Sequence, residues 1–142
     1  MIVKALEKTA QEVFDHVSEH LMRQGAPSMS KGDAHCLYRS DRGLSCAVGG
    51  LLTDEEYEHI IISLGEVGNK RGWDYTKDLF ENGLKHSALI KSLQVCHDGY
   101  AKFNSTQTPF PEFVYYKLGD TAVLFNLDTK HLKLAYKRYH KE

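Results

Sequence analysis

Residues 36–49, CLYRSDRGLSCAVG, constrain the fold of this chain more than any other stretch. Two short runs of β-formers, 36–39 and 44–48, flank Ser40-Asp41-Arg42-Gly43, and an aspartate and a glycine between such runs predict a β-hairpin. With a three-residue loop and Gly43 left-handed, Cys36, Tyr38, Cys46 and Val48 share one mostly apolar face. Arg39 and Ser45 then point to the other. A four-residue loop would instead place the two cysteines on opposite faces. The first register is preferred because it separates apolar from polar. Gly49-Gly50 breaks the second strand.

The remainder reads as helix. Thr9-Ala10-Gln11-Glu12 has the form of a capping box, in which threonine accepts from a free helix amide and glutamate reaches back. Ala10, Val13, Phe14, Val17 and Leu21 follow at helical spacing, and Gly25 and Pro27 end the run. Thr53 and Glu56 repeat the capping pattern. Residues 60–64 fit helix or strand. Asp74 can cap a helix over 75–81 and Ser87 the next, with Leu89, Leu93, Cys96 and Tyr100 as its apolar stripe. Pro111 suits a first helical turn, and Asp128 can cap a last amphipathic helix. At 142 residues the chain has the length of one domain. The expected fold is therefore α+β: a mainly helical single domain over 1–142, a small antiparallel hairpin at 36–49 packed on helices, and C-terminal helices over 111–142.

Composition narrows the classes of function. An apolar fraction of 42% and a charged fraction of 26% are ordinary for a globular chain. A net charge of −1 gives no general field towards nucleic acid or acidic lipid. Lys130, Lys133, Lys137, Arg138 and Lys141 do crowd the C-terminus, but nucleic acid is not the expected partner. The longest apolar runs, 60–62 and 122–125, fall far short of the ~20 residues a membrane span needs. Lys4, Glu7 and Lys8 argue against a signal peptide. Three cysteines without a paired framework read as reduced thiols of a cytoplasmic protein. His16, His20, His59, His86, His131 and His140 read as scattered over helix surfaces, whereas His35 and His97 stand beside cysteines.

Chemistry concentrates in the hairpin and in residues 89–98, LIKSLQVCHD. Gln94 and Asp98, four apart, share a helix face, with His97 at the edge of the apolar stripe. Polar groups beneath a loop usually satisfy buried amides, so the plain reading has His97 half-buried and Asp98 bonded to the hairpin backbone. An adjacent histidine and aspartate suggest a metal-dependent phosphohydrolase, but on a helix their side chains diverge by about 100°. Cys36, Cys46, Cys96 and His97 match the ligand count of a zinc site, but nine residues separate the first two cysteines, against two to four in a zinc knuckle. No metal and no cofactor is expected. The cysteines fit best as small core residues, since a Cys36–Cys46 disulfide would run diagonally across the hairpin. Arg39 can fork two hydrogen bonds onto a carboxylate or phosphate, or pair with Asp98 or Asp54. If the hairpin docks on the helix, Tyr38, Arg39, Cys46, Gln94, His97 and Asp98 form a candidate ligand site.

These segments resemble a family of small, largely uncharacterised phage and prophage proteins. Its members show a Cys-x-Tyr-Arg hairpin, Lys-Cys-Ala-x-Gly, an Ile-Pro-Asp helix start and a Leu-Gln-x-x-His-Asp helix. The counterparts here are Cys36-Leu37-Tyr38-Arg39, Ser45-Cys46-Ala47-Val48-Gly49, Leu52-Thr53-Asp54 and Leu93-Gln94-Val95-Cys96-His97-Asp98. Serine replaces the family's lysine at 45, and threonine its proline at 53. The resemblance covers residues 9–57 and 87–98. It implies a phage-encoded protein acting in a bacterial cytoplasm and brings no activity with it. The leading expectation is a non-enzymatic accessory protein that binds a small anionic ligand, such as a nucleotide signal, or a host protein, in counter-defence. Arg39 would hold the anion, Tyr38 would pack on it, and Gln94, His97 and Asp98 would orient it. One rival is a hydrolase or transferase using Cys46 or His97 with Asp98. Another is a purely architectural motif with a partner-binding surface elsewhere.

Overall fold

The computed structural model describes residues 8–28, 44–56, 58, 86–103 and 108–140. Five helices have their bounds within them, α1 (Ala10–Gln24), α2 (Ala47–Leu51), α3 (Ser87–Phe103), α4 (Phe110–Leu124) and α5 (Lys130–Tyr139), and residues 54–56 and 58 are helical as well. No β-strand occurs among the described residues, so the expected α+β class gives way to an all-helical arrangement. Of the predicted hairpin, the first strand with Cys36, Tyr38 and Arg39 lies outside the described residues. So do 60–64 and the helix predicted after Asp74. Of the predicted second strand, residues 44–46 are non-helical, with Ser45 in an isolated β-bridge, and Ala47 and Val48 open α2 instead.

That replacement has a local and a tertiary cause. Cys46 is extended (φ −77°, ψ −176°), and its Sγ accepts from the Gly49 amide at 3.3 Å, which makes it the N-cap of α2. A thiol thus fills the place a serine or aspartate usually takes. Gly50 continues the helix because α1 presses against it. A Cβ there would stand 2.4 Å from the His20 ring. The glycine pair read as a strand breaker is what lets two helices approach.

α1 follows its sequence closely. Thr9 Oγ1 accepts from the Glu12 amide at 3.1 Å, and Glu12 Oε1 accepts from the Thr9 amide at 2.9 Å. The Thr9 backbone amide first, and then its hydroxyl, hold the Glu12 carboxyl below the usual carboxylate range. At the other end Gly25 takes the left-handed conformation (φ 68°) and donates to the Leu21 carbonyl. The same reciprocal capping recurs between Thr53 and Glu56, at 2.8 and 3.1 Å. Pro111 sits in the first turn of α4. α3 begins at Ser87, one residue before a Ser87 cap would have it, with the His86 carbonyl accepting from the Ile90 amide. Thr129 is the N-cap position of α5, yet Asp128 still supplies the carboxylate, accepting from the Lys130 amide at 2.6 Å.

α1 is the central helix and packs on each of the other four. Val13, Phe14, Val17, Leu21 and Met22 are fully buried against Ile90 and Leu93 of α3, Val114 and Leu118 of α4, and Leu132 of α5. Burying a Phe or Leu side chain stabilises by roughly 1.5–3 kcal/mol, so this stripe holds the bundle together. Gln11 ties the start of α1 to the α4–α5 turn through a two-way bond with Asp128: its amide group donates to the carbonyl and accepts from the amide of that residue, at 2.9 and 2.8 Å. Tyr136 of α5 stacks on Tyr115 of α4 with centroids 4.2 Å apart.

Candidate functional site

Three predicted site residues on α3 converge. The His97 ring is completely buried. Its Nε2 accepts from the Ser28 backbone amide at 2.8 Å, and its Nδ1 faces Asp98 Oδ1 at 2.8 Å. An amide can only donate, so Nε2 carries no proton and the ring is the Nδ1–H tautomer donating to Asp98. Gln94 Nε2 donates to the same Oδ1 at 2.8 Å, as its four-residue spacing from Asp98 requires. Adjacent helical side chains diverge, yet the Asp98 carboxylate swings back far enough to bond its neighbour. The edge of Phe110 meets the imidazole at 5.8 Å and 75°. His97 is thus fully buried, not half-buried, and the amide satisfied by this group belongs to Ser28 and is taken by the histidine.

A second set of bonds, unforeseen from the sequence, continues the clasp. Ser28 Oγ donates to the Leu44 carbonyl at 3.2 Å, so the two residues flanking 29–43 are joined. Gln24 reads Ser45 in both directions: its Oε1 accepts from the Ser45 amide and its Nε2 donates to the Ser45 carbonyl, each at 2.8 Å. His20, one turn earlier, brings Nε2 within 3.0 Å of the Ser45 carbonyl and of Ser45 Oγ. Burial pushes the His20 imidazole below its ordinary range, with the Ser45 carbonyl acting the other way and nearby Arg23, His16 and His97 adding repulsion. Of the six histidines read as scattered, four hold backbone carbonyls: His16 that of Gly50 at 2.8 Å, His20 that of Ser45, His86 that of Lys8 at 2.5 Å, and His140 that of Met22. His59 lies outside the described residues.

The two described cysteines are spent on structure. Cys46 is buried at its cap. Cys96 faces away from His97, with Sγ 3.3 Å from Thr121 Oγ1 of α4, and burial pushes its thiol up to about 11. Neither belongs to a disulfide. A thiolate nucleophile with His97 as base lacks its base, because Nε2 is already occupied. Among the described residues no three His, Cys, Asp or Glu side chains are arranged to hold a metal, and Cys36 of the considered zinc set lies outside them. No helix among the described residues is long and apolar enough to cross a membrane. No protein-family model, no curated protein and no solved structure matches the chain.

Proposed function

We propose that this chain is a non-enzymatic accessory protein of phage origin that works in a bacterial cytoplasm by binding, and that its ligand is a small anion of the nucleotide kind, taken up in counter-defence. The observation that carries the reading is the state of His97: no exposure, and both ring nitrogens committed to fixed bonds at 2.8 Å. A general base needs a free lone pair within reach of a substrate proton, and this lone pair is spent on Ser28. In this reading His97 and Gln94 fix the Asp98 carboxylate, whose side chain is 38% exposed. Arg39, in the segment whose flanking residues Ser28 and Leu44 are clasped together, holds the anion, and Tyr38 packs on it.

A thermal-shift panel of nucleotides tests this. At least one should raise the melting temperature of the wild type and do so less for Arg39→Ala. No shift with any, or equal shifts in both proteins, counts against a nucleotide-like anion. A host protein is the alternative partner, favoured by Val123 and Leu124, which stand 82% and 75% exposed at the end of α4. Under that reading a bacterial protein co-purifies with the wild type and is lost with Leu124→Asp.

A further inference from the structure

On the other side of α3 from His97 lies a groove. α3 and α4 run antiparallel, joined by the Cys96–Thr121 contact and by the edge-to-face packing of Tyr100 on Phe110 and Phe113. Between them a groove of about 410 Å³ remains open, within the range of small-molecule sites. Its floor includes Cys96, Thr121 and Gly99, and Gly99 deepens it by having no side chain. Phe113 forms one wall, and Val95, 55% exposed, forms a lip.

Charge decides what such a groove would take. Lys91 enters from α3, and Lys117 and Asp120 from α4. The Lys117 ammonium lies 5.7 Å from the Phe113 ring centroid. Neither lysine has a carboxylate partner among the described residues. The raised Cys96 thiol stays neutral and adds no negative charge to the floor. The lining therefore carries two cations and one anion, on a chain whose overall charge is −1.

We infer that the groove between α3 and α4 binds a flat, singly charged aromatic anion, its acidic group held by Lys91 and Lys117 and its ring laid along Val95, Gly99 and Phe113. An apolar trough would take any flat hydrophobe. The two unpaired lysines select among them for negative charge, and Asp120, one turn from Lys117, opposes a second negative charge on the ligand. The inference rests on the reading that the protein acts by binding, and it assigns that binding to residues of α3 and α4.

The probe is 8-anilinonaphthalene-1-sulfonate, an aromatic ring system with one sulfonate, titrated by fluorescence against the wild type, Lys91→Glu, Lys117→Glu, Asp120→Asn and Arg39→Ala. All four groove and control side chains changed here are charged, and circular dichroism verifies that each variant keeps its helix content. The wild type should bind one equivalent saturably. Each lysine reversal should weaken binding by about fivefold to tenfold and Asp120→Asn should strengthen it by about threefold, the effects of single exposed charges beside a bound anion. Arg39→Ala should leave it unchanged, and N-phenyl-1-naphthylamine, the same rings without the sulfonate, should be indifferent to all the substitutions. Absence of saturable binding, or equal binding by the wild type and both lysine variants, overturns the groove. A nucleotide-induced thermal shift that depends on Arg39, alongside probe binding that ignores both lysines, removes the groove and leaves the binding function standing.

Discussion

Replacing His97 by phenylalanine isolates the polar part of the clasp. The ring is completely buried, and phenylalanine refills its place with a somewhat larger apolar ring. What disappears is the acceptor for the Ser28 amide and one donor to Asp98. A buried amide left without a partner costs about 1–3 kcal/mol. Asp98 is partly exposed and still has Gln94, so its loss adds only about 0.5–1 kcal/mol. The sum, about 1.5–4 kcal/mol, is a large fraction of the ~5–15 kcal/mol that holds a domain folded. For a chain of this length the melting temperature should fall by roughly 4–15 °C. His97→Ala removes the ring as well and should cost a further 1–3 kcal/mol or so for the cavity. Urea denaturation of the three proteins gives the free energies, and hydrogen exchange at Ser28 reports the orphaned amide. If His97→Phe lies within about 0.5 kcal/mol of the wild type and the Ser28 amide exchanges no faster, His97 is not a clasp and the case against a catalytic histidine weakens.

Three further outcomes follow from the packing. Gly50→Ala places a methyl 2.4 Å from the His20 ring and should destabilise by about 1–3 kcal/mol, read by thermal melting; an unchanged melting temperature means that α1 and α2 are not in close contact. His20 is held below its ordinary value in the folded state, so in acid the unfolded chain takes up its proton first: its contribution is complete above ~6.5 and is lost as pH falls from there through the lowered value. Melting temperatures from pH 7.5 to 5 should therefore fall more steeply for the wild type than for His20→Gln, and parallel curves would refute the assignment. Cys96, buried and raised to about 11, should resist iodoacetamide at pH 8 until the chain is unfolded, and mass spectrometry of the folded protein showing rapid alkylation there would contradict the burial.

What the sequence disclosed depended on whether the governing interaction was local. The α1 capping box, its Gly25 stop and its apolar stripe involve neighbours within four residues, and each appears where the pattern predicts. Pro111 and the Asp128 carboxylate behave alike. The region 44–50 failed because its β-propensity was overruled from a distance: the face of α1 carrying His16, His20 and Gln24 binds its backbone, and only a helix with glycine at 50 fits beneath it. The histidine bonds were illegible for the same reason. A side chain reaching a carbonyl 25 or 118 residues away leaves no periodic trace. Gln94 and Asp98 were readable as a pair, because their bond lies within one helix, whereas the partner of His97 was not.

The clasp also bears on where recognition can sit. A ligand that recruited His97 would first have to take its Nε2 from the Ser28 amide and leave that amide buried and unpaired, at about 1–3 kcal/mol. That penalty alone weakens affinity by about 5- to 150-fold. Lys91 and Lys117 carry no such debt: each is exposed, and neither has a carboxylate partner among the described residues to give up, although the Lys117 ammonium lies over the Phe113 ring. Asp98 falls between the two, with one oxygen already shared by His97 and Gln94 and a side chain still reached by solvent. The group that looked most chemical in the sequence is therefore the least able of these to act on a ligand, whereas Lys91 and Lys117, which no motif singled out, keep exposed side chains.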